Sequence, residues 1–293
     1  MASVTGLVAY MVMGPDGIWI ALLSSAASLL LSRNIGLERL LRTRGAQPLS
    51  PETHQGLYRI AATIAARAGL SRVPMLYYEK SGVMNAYASG NKAKPVIVLT
   101  DTLLRTLNLR EIAGILGHET AHIKNNDLRV MAIAHHVQRI TGFMSLFGQV
   151  ILILALPLII LGNVRFSLAP LLFIIFAPTL VMMLQMALSR TREFEADVVA
   201  SELTGDPAGL AQALYRLEKY HRYYWRNFFI MPWSYKAPAW LQTHPPTAQR
   251  INRIMELTGT EASRMNSMRY SQSCVQRPLH SSIALRHIHC INY

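Results

Sequence analysis

The sequence predicts a mainly α-helical protein with a small antiparallel β-sheet and helices that cross a membrane. Three observations carry this. Residues 140–161 and 166–188 contain no charged side chain, and each run is long enough to span a hydrocarbon core of ~30 Å. Between residues 73 and 100, short β-branched and aromatic runs follow one another at the spacing of adjacent strands. The chain is 51% hydrophobic and 15% charged, whereas soluble domains carry roughly 25% charged residues.

The 293 residues have a formal net charge of +13. In a membrane protein this excess belongs in cytoplasmic loops and against anionic lipid. Nucleic acid is not the expected partner, because no nucleic-acid module is recognisable. Cys274 and Cys290 lie together near the end and make no disulfide framework.

Residues 1–34 read as a membrane anchor, with one helix at about 17–32. Gly14-Pro15-Asp16-Gly17 is a turn signal. Arg33, Arg39, Arg42 and Arg44 follow that helix, which places its C-terminal end in the cytoplasm. Ser50-Pro51-Glu52 starts the next helix, with Leu57, Ile60, Ala61, Ile64 and Ala65 on one face. Three strands follow, at 73–78, 83–88 and 96–100, and read as an antiparallel meander. Thr100-Asp101 offers a cap to a short helix.

The next helix holds the densest chemistry. Asn108 and Glu111 form a capping-box pattern at its start. Gly117-His118-Glu119-Thr120-Ala121-His122 lies within it. Residues four apart share a helix face, so His118 and His122 can hold one zinc ion. Glu119 is placed to take a proton from a water at that site. Asn125-Asn126-Asp127 reads as the polar end of the helix or a bend. The two uncharged runs then form a transmembrane hairpin over 140–188, with its tip outside and both ends in the cytoplasm.

Directly after the hairpin stands Arg192-Glu193-Phe194-Glu195-Ala196-Asp197. Glu193 and Asp197 share a helix face. Glu193 can supply the third ligand, and Asp197 can accept the N–H of a ligating histidine. Glu195 points elsewhere, to solvent or to Arg192.

Asn85-Ala86-Tyr87-Ala88, the Gly-His-Glu-Thr-Ala-His block, Glu193–Asp197, and Thr243-His244-Pro245-Pro246-Thr247 with Arg250-Ile251 stand in an order that resembles the HtpX type of membrane-bound zinc metalloprotease. This gluzincin family also includes the CAAX prenyl proteases. The likeness runs from about Leu40 to Leu257. It implies a zincin-like protease domain with one zinc ion per chain, bound by His118, His122 and Glu193, with Glu119 as catalytic base. It also implies that the strand edge of Asn85, Ala86, Tyr87 and Ala88 lies along the substrate. His244 either supports the transition state or only shapes the loop before the helix at 247–257. The family's two full N-terminal spans are not matched, because the first apolar piece is short.

The expected organisation is an anchor at 1–34, protease halves at 35–139 and 189–259 flanking the hairpin at 140–188, and a disordered basic tail at 260–293. The expected activity is hydrolysis of peptide bonds in misfolded membrane proteins at the cytoplasmic surface of a bacterial-type inner membrane, as part of stress response and protein quality control. Two alternatives stand beside it: processing of prenylated proteins, and a non-catalytic membrane protein with a structural zinc.

Overall fold

A computed structural model describes residues 1–32, 41–161, 168–228 and 245–256. His244, the hairpin tip and the tail at 260–293 fall outside these residues. The elements are α1 (Ala2–Ser32), β1 (Gln47–Pro48), α2 (Gln55–Arg67), β2 (Met75–Glu79), β3 (Ala86–Asn91), β4 (Lys94–Thr100), α3 (Asp101–Thr106), α4 (Leu109–Asn125), α5 (Asp127–Ile160), α6 (Leu168–Thr204) and α7 (Pro207–Phe228). A last helix, α8, covers 247–256. The expected class holds: helices dominate, the sheet is small, and long apolar helices are present. Length and composition mark Ser3–Ser24, Asp127–Pro157 and Ala169–Thr204 as able to cross a membrane.

The sheet corrects the expected meander. Its strand order is β1-β2-β4-β3. β4 pairs antiparallel with β3 but parallel with β2. The reason lies in β4 itself, where Pro95 to Thr100 are all buried. The most apolar strand takes the centre, where both faces and both edges are covered. β3 is left as an edge strand.

One face of the sheet, with Leu76, Ala88, Ile97 and Leu99, packs on α2 and α4 in the main core. The other, with Val96 and Val98, is covered by Leu41. α4 is buried along most of its length. At Gly114 a Cβ would come within 2.8 Å of the Leu210 Cα, so the absent side chain lets α7 lie directly on α4.

Local chemistry sets the ends of these helices. The capping box of Asn108 and Glu111 forms as the pattern predicts. Thr100 precedes α3 but makes no side-chain cap, because its hydroxyl oxygen is turned to Asn85, accepting the Asn85 N–H and donating to the Asn85 carbonyl, both at 2.9 Å. α2 begins at Gln55 rather than at Ser50-Pro51-Glu52. The Ser50 hydroxyl accepts the Glu52 N–H at 3.2 Å, and this local bond makes a turn in place of a helical start.

α4 ends at Asn126, a left-handed residue with φ 58°. α5 starts at the next residue. α6 runs unbroken from the membrane-spanning run into the stretch that carries Glu193 and Asp197.

Candidate active site

α4 presents His118 and His122 on one face, and α6 crosses that face with Glu193. One donor atom from each of the three lies within 4.8 Å of the others. The two imidazole Nε2 atoms are 3.1 Å apart. The His118 Nε2 is 3.4 Å from one Glu193 oxygen, and the His122 Nε2 is 3.9 Å from the other. Ligands about 2.0–2.1 Å from a tetrahedral zinc sit roughly 3.3 Å from one another. The donor types and their separations therefore fit a zinc ion.

The far nitrogen of each ring has its own carboxylate. His118 Nδ1 is 3.0 Å from Asp197 Oδ1. His122 Nδ1 is 2.8 Å from Asp127 Oδ2. An Nδ1–H donated to a carboxylate leaves the Nε2 lone pair free for a metal. Asp197 thus stands where the sequence pattern puts it. Asp127 does the same for the second histidine, and the pattern reads it only as a polar helix end. The left-handed residue Asn126 turns the chain so that Asp127 points back at His122.

Arg250, on α8, is a further site residue to which the motifs assign no role. It is buried and donates to both Asp197 oxygens, at 2.6 and 2.7 Å. Its Nη1 is 3.1 Å from Glu193 Oε2. Of the two arginines on this short helix, Arg250 alone stands four residues from Ile254, on the face that is buried, and that spacing was the available signal. Arg192 approaches Asp127 at 3.5 Å and pairs with Glu195 at 3.0 Å, so Glu195 has the partner expected of it.

Glu119 is buried beside the histidines. Its Oε2 accepts the Ala88 N–H at 2.7 Å. The edge strand therefore lies against the carboxylate. β3 itself starts at Ala86, and Asn85 is tied just before it to Thr100 by its N–H at 2.9 Å.

Four carboxylates, Glu119, Asp127, Glu193 and Asp197, face the guanidinium groups of Arg192 and Arg250. With neutral histidines these groups leave a deficit of positive charge, which a divalent cation makes up. Without a metal, protons make up part of the deficit. Burial alone would push the His118 imidazole down, but its hydrogen bonds to Asp197 and Glu193 outweigh this and hold it up at about 10. Burial pushes the Glu119 carboxyl above its ordinary range.

The comparisons with known proteins meet this geometry. The family model of peptidase family M48 matches residues 51–258. The chain belongs to peptidase family M48. A "Protease HtpX homolog" from Acaryochloris marina is 36% identical over 227 residues, covering 72% of this chain and 75% of the relative. Another, from Burkholderia ambifaria, is 31% identical over 283 residues, covering 89% of this chain and 95% of the relative. The crystal structure of S. mikatae Ste24p superposes with a TM-score of 0.54 at 19% identity, covering 85% of this chain and 61% of that one; this likeness is one of fold. As an M48 protein of the HtpX type with long apolar helices, the chain is a membrane metalloprotease, and His118, His122 and Glu193 form a cluster able to hold the metal.

Proposed function

We propose that this M48 protease is a zinc endopeptidase that cuts membrane proteins at the cytoplasmic surface of a bacterial-type inner membrane, in quality control of misfolded chains. The observation that carries this reading is the position of Glu193. It stands three residues past Arg190, on the same unbroken helix as the uncharged run that ends at Leu188. At 1.5 Å per residue, that is roughly 5 Å along the helix. A site at that depth meets chain segments emerging from the bilayer sooner than it meets soluble proteins. Basic residues at both ends of the hairpin support the cytoplasmic side. The protease halves are 35–139 and 189–259, with the hairpin 140–188 between them.

His118, His122 and Glu193 hold one zinc ion, and Asp197 and Asp127 fix the tautomers of the two histidines. The metal, when bound, polarises the scissile carbonyl and lowers the pKa of water towards ~7. Glu119 takes the proton of the attacking water and passes it to the leaving amine. Ala88 holds that carboxylate against the edge of β3, and the free edge receives the substrate backbone as an added strand.

The test pairs wild type with Glu119→Gln in detergent, with zinc counted in both. Wild type should cut a membrane-tethered substrate faster than its soluble counterpart, and the variant should keep about one zinc ion and lose turnover. Equal cleavage by the variant removes Glu119 from its role. Equal rates on tethered and soluble substrate remove the membrane-surface reading.

A further inference from the structure

The two halves of α1 lie against the same stretch of α5. In the first half, Thr5 Oγ1 is 2.6 Å from Thr141 Oγ1, 136 residues away in the chain. Val8 shares a buried cluster with Met144, and Val12 meets Gly148. These pairs keep the 136-residue separation of the first, so residues 2–13 run parallel to α5. In the second half, Ile20 and Ser24 line one groove with Arg139, Ile140, Phe143 and Met144. The chain has come back to where it began. A straight helix would hold Thr5 and Ser24 roughly 28 Å apart, yet the α5 residues they meet are neighbours.

The reversal has a local cause. Gly14 takes φ 65° and ψ −154° and breaks the helix between the halves. Pro15 then stands at the start of the second half, where its missing N–H is no loss. A Cβ at Gly17 would strike the Ala9 carbonyl, so only glycine lets the halves close. The turn signal at 14–17 is thus a hairpin tip.

We infer that residues 2–24 form a re-entrant helical hairpin, which enters the membrane on the side of the metal site, reaches about its middle and returns. Its partner is the acyl region of that one leaflet. The depth follows from the register. Gly14 lies two residues past Val12, which is opposite Gly148, and the uncharged run of α5 begins at Ile140. The tip is therefore about ten residues or roughly 15 Å deep, half of a ~30 Å core. Leu7, Tyr10, Met11, Trp19, Leu22 and Leu23 are exposed on the hairpin. They continue the exposed apolar surface of Phe143, Leu146 and Phe147 on α5, which is where acyl chains lie. Ser3–Ser24 has the length and composition of a crossing, but its backbone spends that length on going in and coming out. The return also leaves the chain on the side of Leu41 and the sheet without any crossing.

The experiment uses the full chain in membrane vesicles of both orientations, with Cys274→Ser and Cys290→Ser as background. Single cysteines at Ser3, Met13 and Thr43 are probed with a membrane-impermeant maleimide. Ser3→Cys and Thr43→Cys should label from the same side, and Met13→Cys should label only after detergent. Labelling of Ser3→Cys and Thr43→Cys from opposite sides overturns the hairpin. Free labelling of Met13→Cys in intact vesicles overturns its insertion. Disulfide formation gives an independent measure in the same membranes. The hairpin predicts cross-links in both Thr5→Cys/Thr141→Cys and Ser24→Cys/Ile140→Cys; a straight span forms only one of the two.

Discussion

Asp127 offers the sharpest test of how the proposed zinc site is built. Its side chain is 3% exposed and its Oδ2 lies 2.8 Å from His122 Nδ1. Asp127→Ala removes the acceptor, so the imidazole loses both its preferred tautomer and its fixed ring angle. Losing such a partner costs about 10–100-fold in metal affinity, or about 1.4–2.7 kcal/mol. Asp127→Asn keeps an acceptor oxygen and loses the charge, so it should fall between wild type and Asp127→Ala. The assay is zinc competition with a fluorescent chelator on detergent-purified protein, which does not depend on turnover. An affinity of Asp127→Ala within about twofold of wild type would refute the reasoning. So would an Asn variant weaker than the Ala variant, because the order follows from tautomer control alone.

Other predictions concern the edge strand, the core and the pH response. Ala88→Pro deletes the N–H that the buried Glu119 accepts at 2.7 Å; kcat/KM should fall about 10–100-fold, and leaving that carboxylate short of a donor should cost about 1–3 kcal/mol of stability. Gly114→Ala forces the Leu210 backbone, 2.8 Å from the new Cβ, to shift, and should lower stability by about 1–3 kcal/mol in a thermal unfolding scan. Metal removal should destabilise more as pH rises. The raised His118 pKa stabilises the metal-free fold fully below 6.5, and that contribution is lost as pH climbs through about 10. The gap in melting temperature between metal-loaded and chelated protein should therefore widen across that window, and a constant gap would count against proton-for-metal exchange.

The parts of the site that were legible in the sequence are those set by helix periodicity. His118 with His122, and Glu193 with Asp197, each sit four apart, and that spacing fixes a shared face whatever surrounds it. The capping box at Asn108 is local in the same sense. Asp127 was hidden because its direction depends on one left-handed residue, Asn126. Arg250 was hidden because it enters from a helix whose place depends on the burial of Ile254 beside Ala200, Leu210 and Leu214. The sheet order failed for a related reason. Three strands in sequence suggest a meander, but burial decides which one is central, and β4 buries nearly every residue. At the start of the chain the glycine–proline signal marked a turn, while the direction of the returning helix depended on contacts with α5.

The division of the site by the hairpin has a mechanical consequence. His118, Glu119 and His122 belong to α4, which leads into α5, while Glu193 and Asp197 stand at the far end of α6. Between the second histidine and the glutamate the chain enters and leaves the apolar region. Glu193 reaches the histidines where α6 packs on α4, and beyond that contact α5 and α6 lie side by side. Part of that pairing is made within the uncharged runs, where the Ser145 hydroxyl donates to the Ile174 carbonyl at 2.5 Å and Gly148 admits Ile174. These apolar helices expose Ile153, Leu154, Leu172 and Phe176, a surface that only lipid covers at low cost. Beside the site itself α6 lies directly on α4, where Gly117 meets Ala200 and Thr204, and Arg250 from α8 holds both Glu193 and Asp197. The third ligand is therefore fixed twice, by the pairing of the two apolar helices and by the packing of α4, α6 and α8 around the histidines.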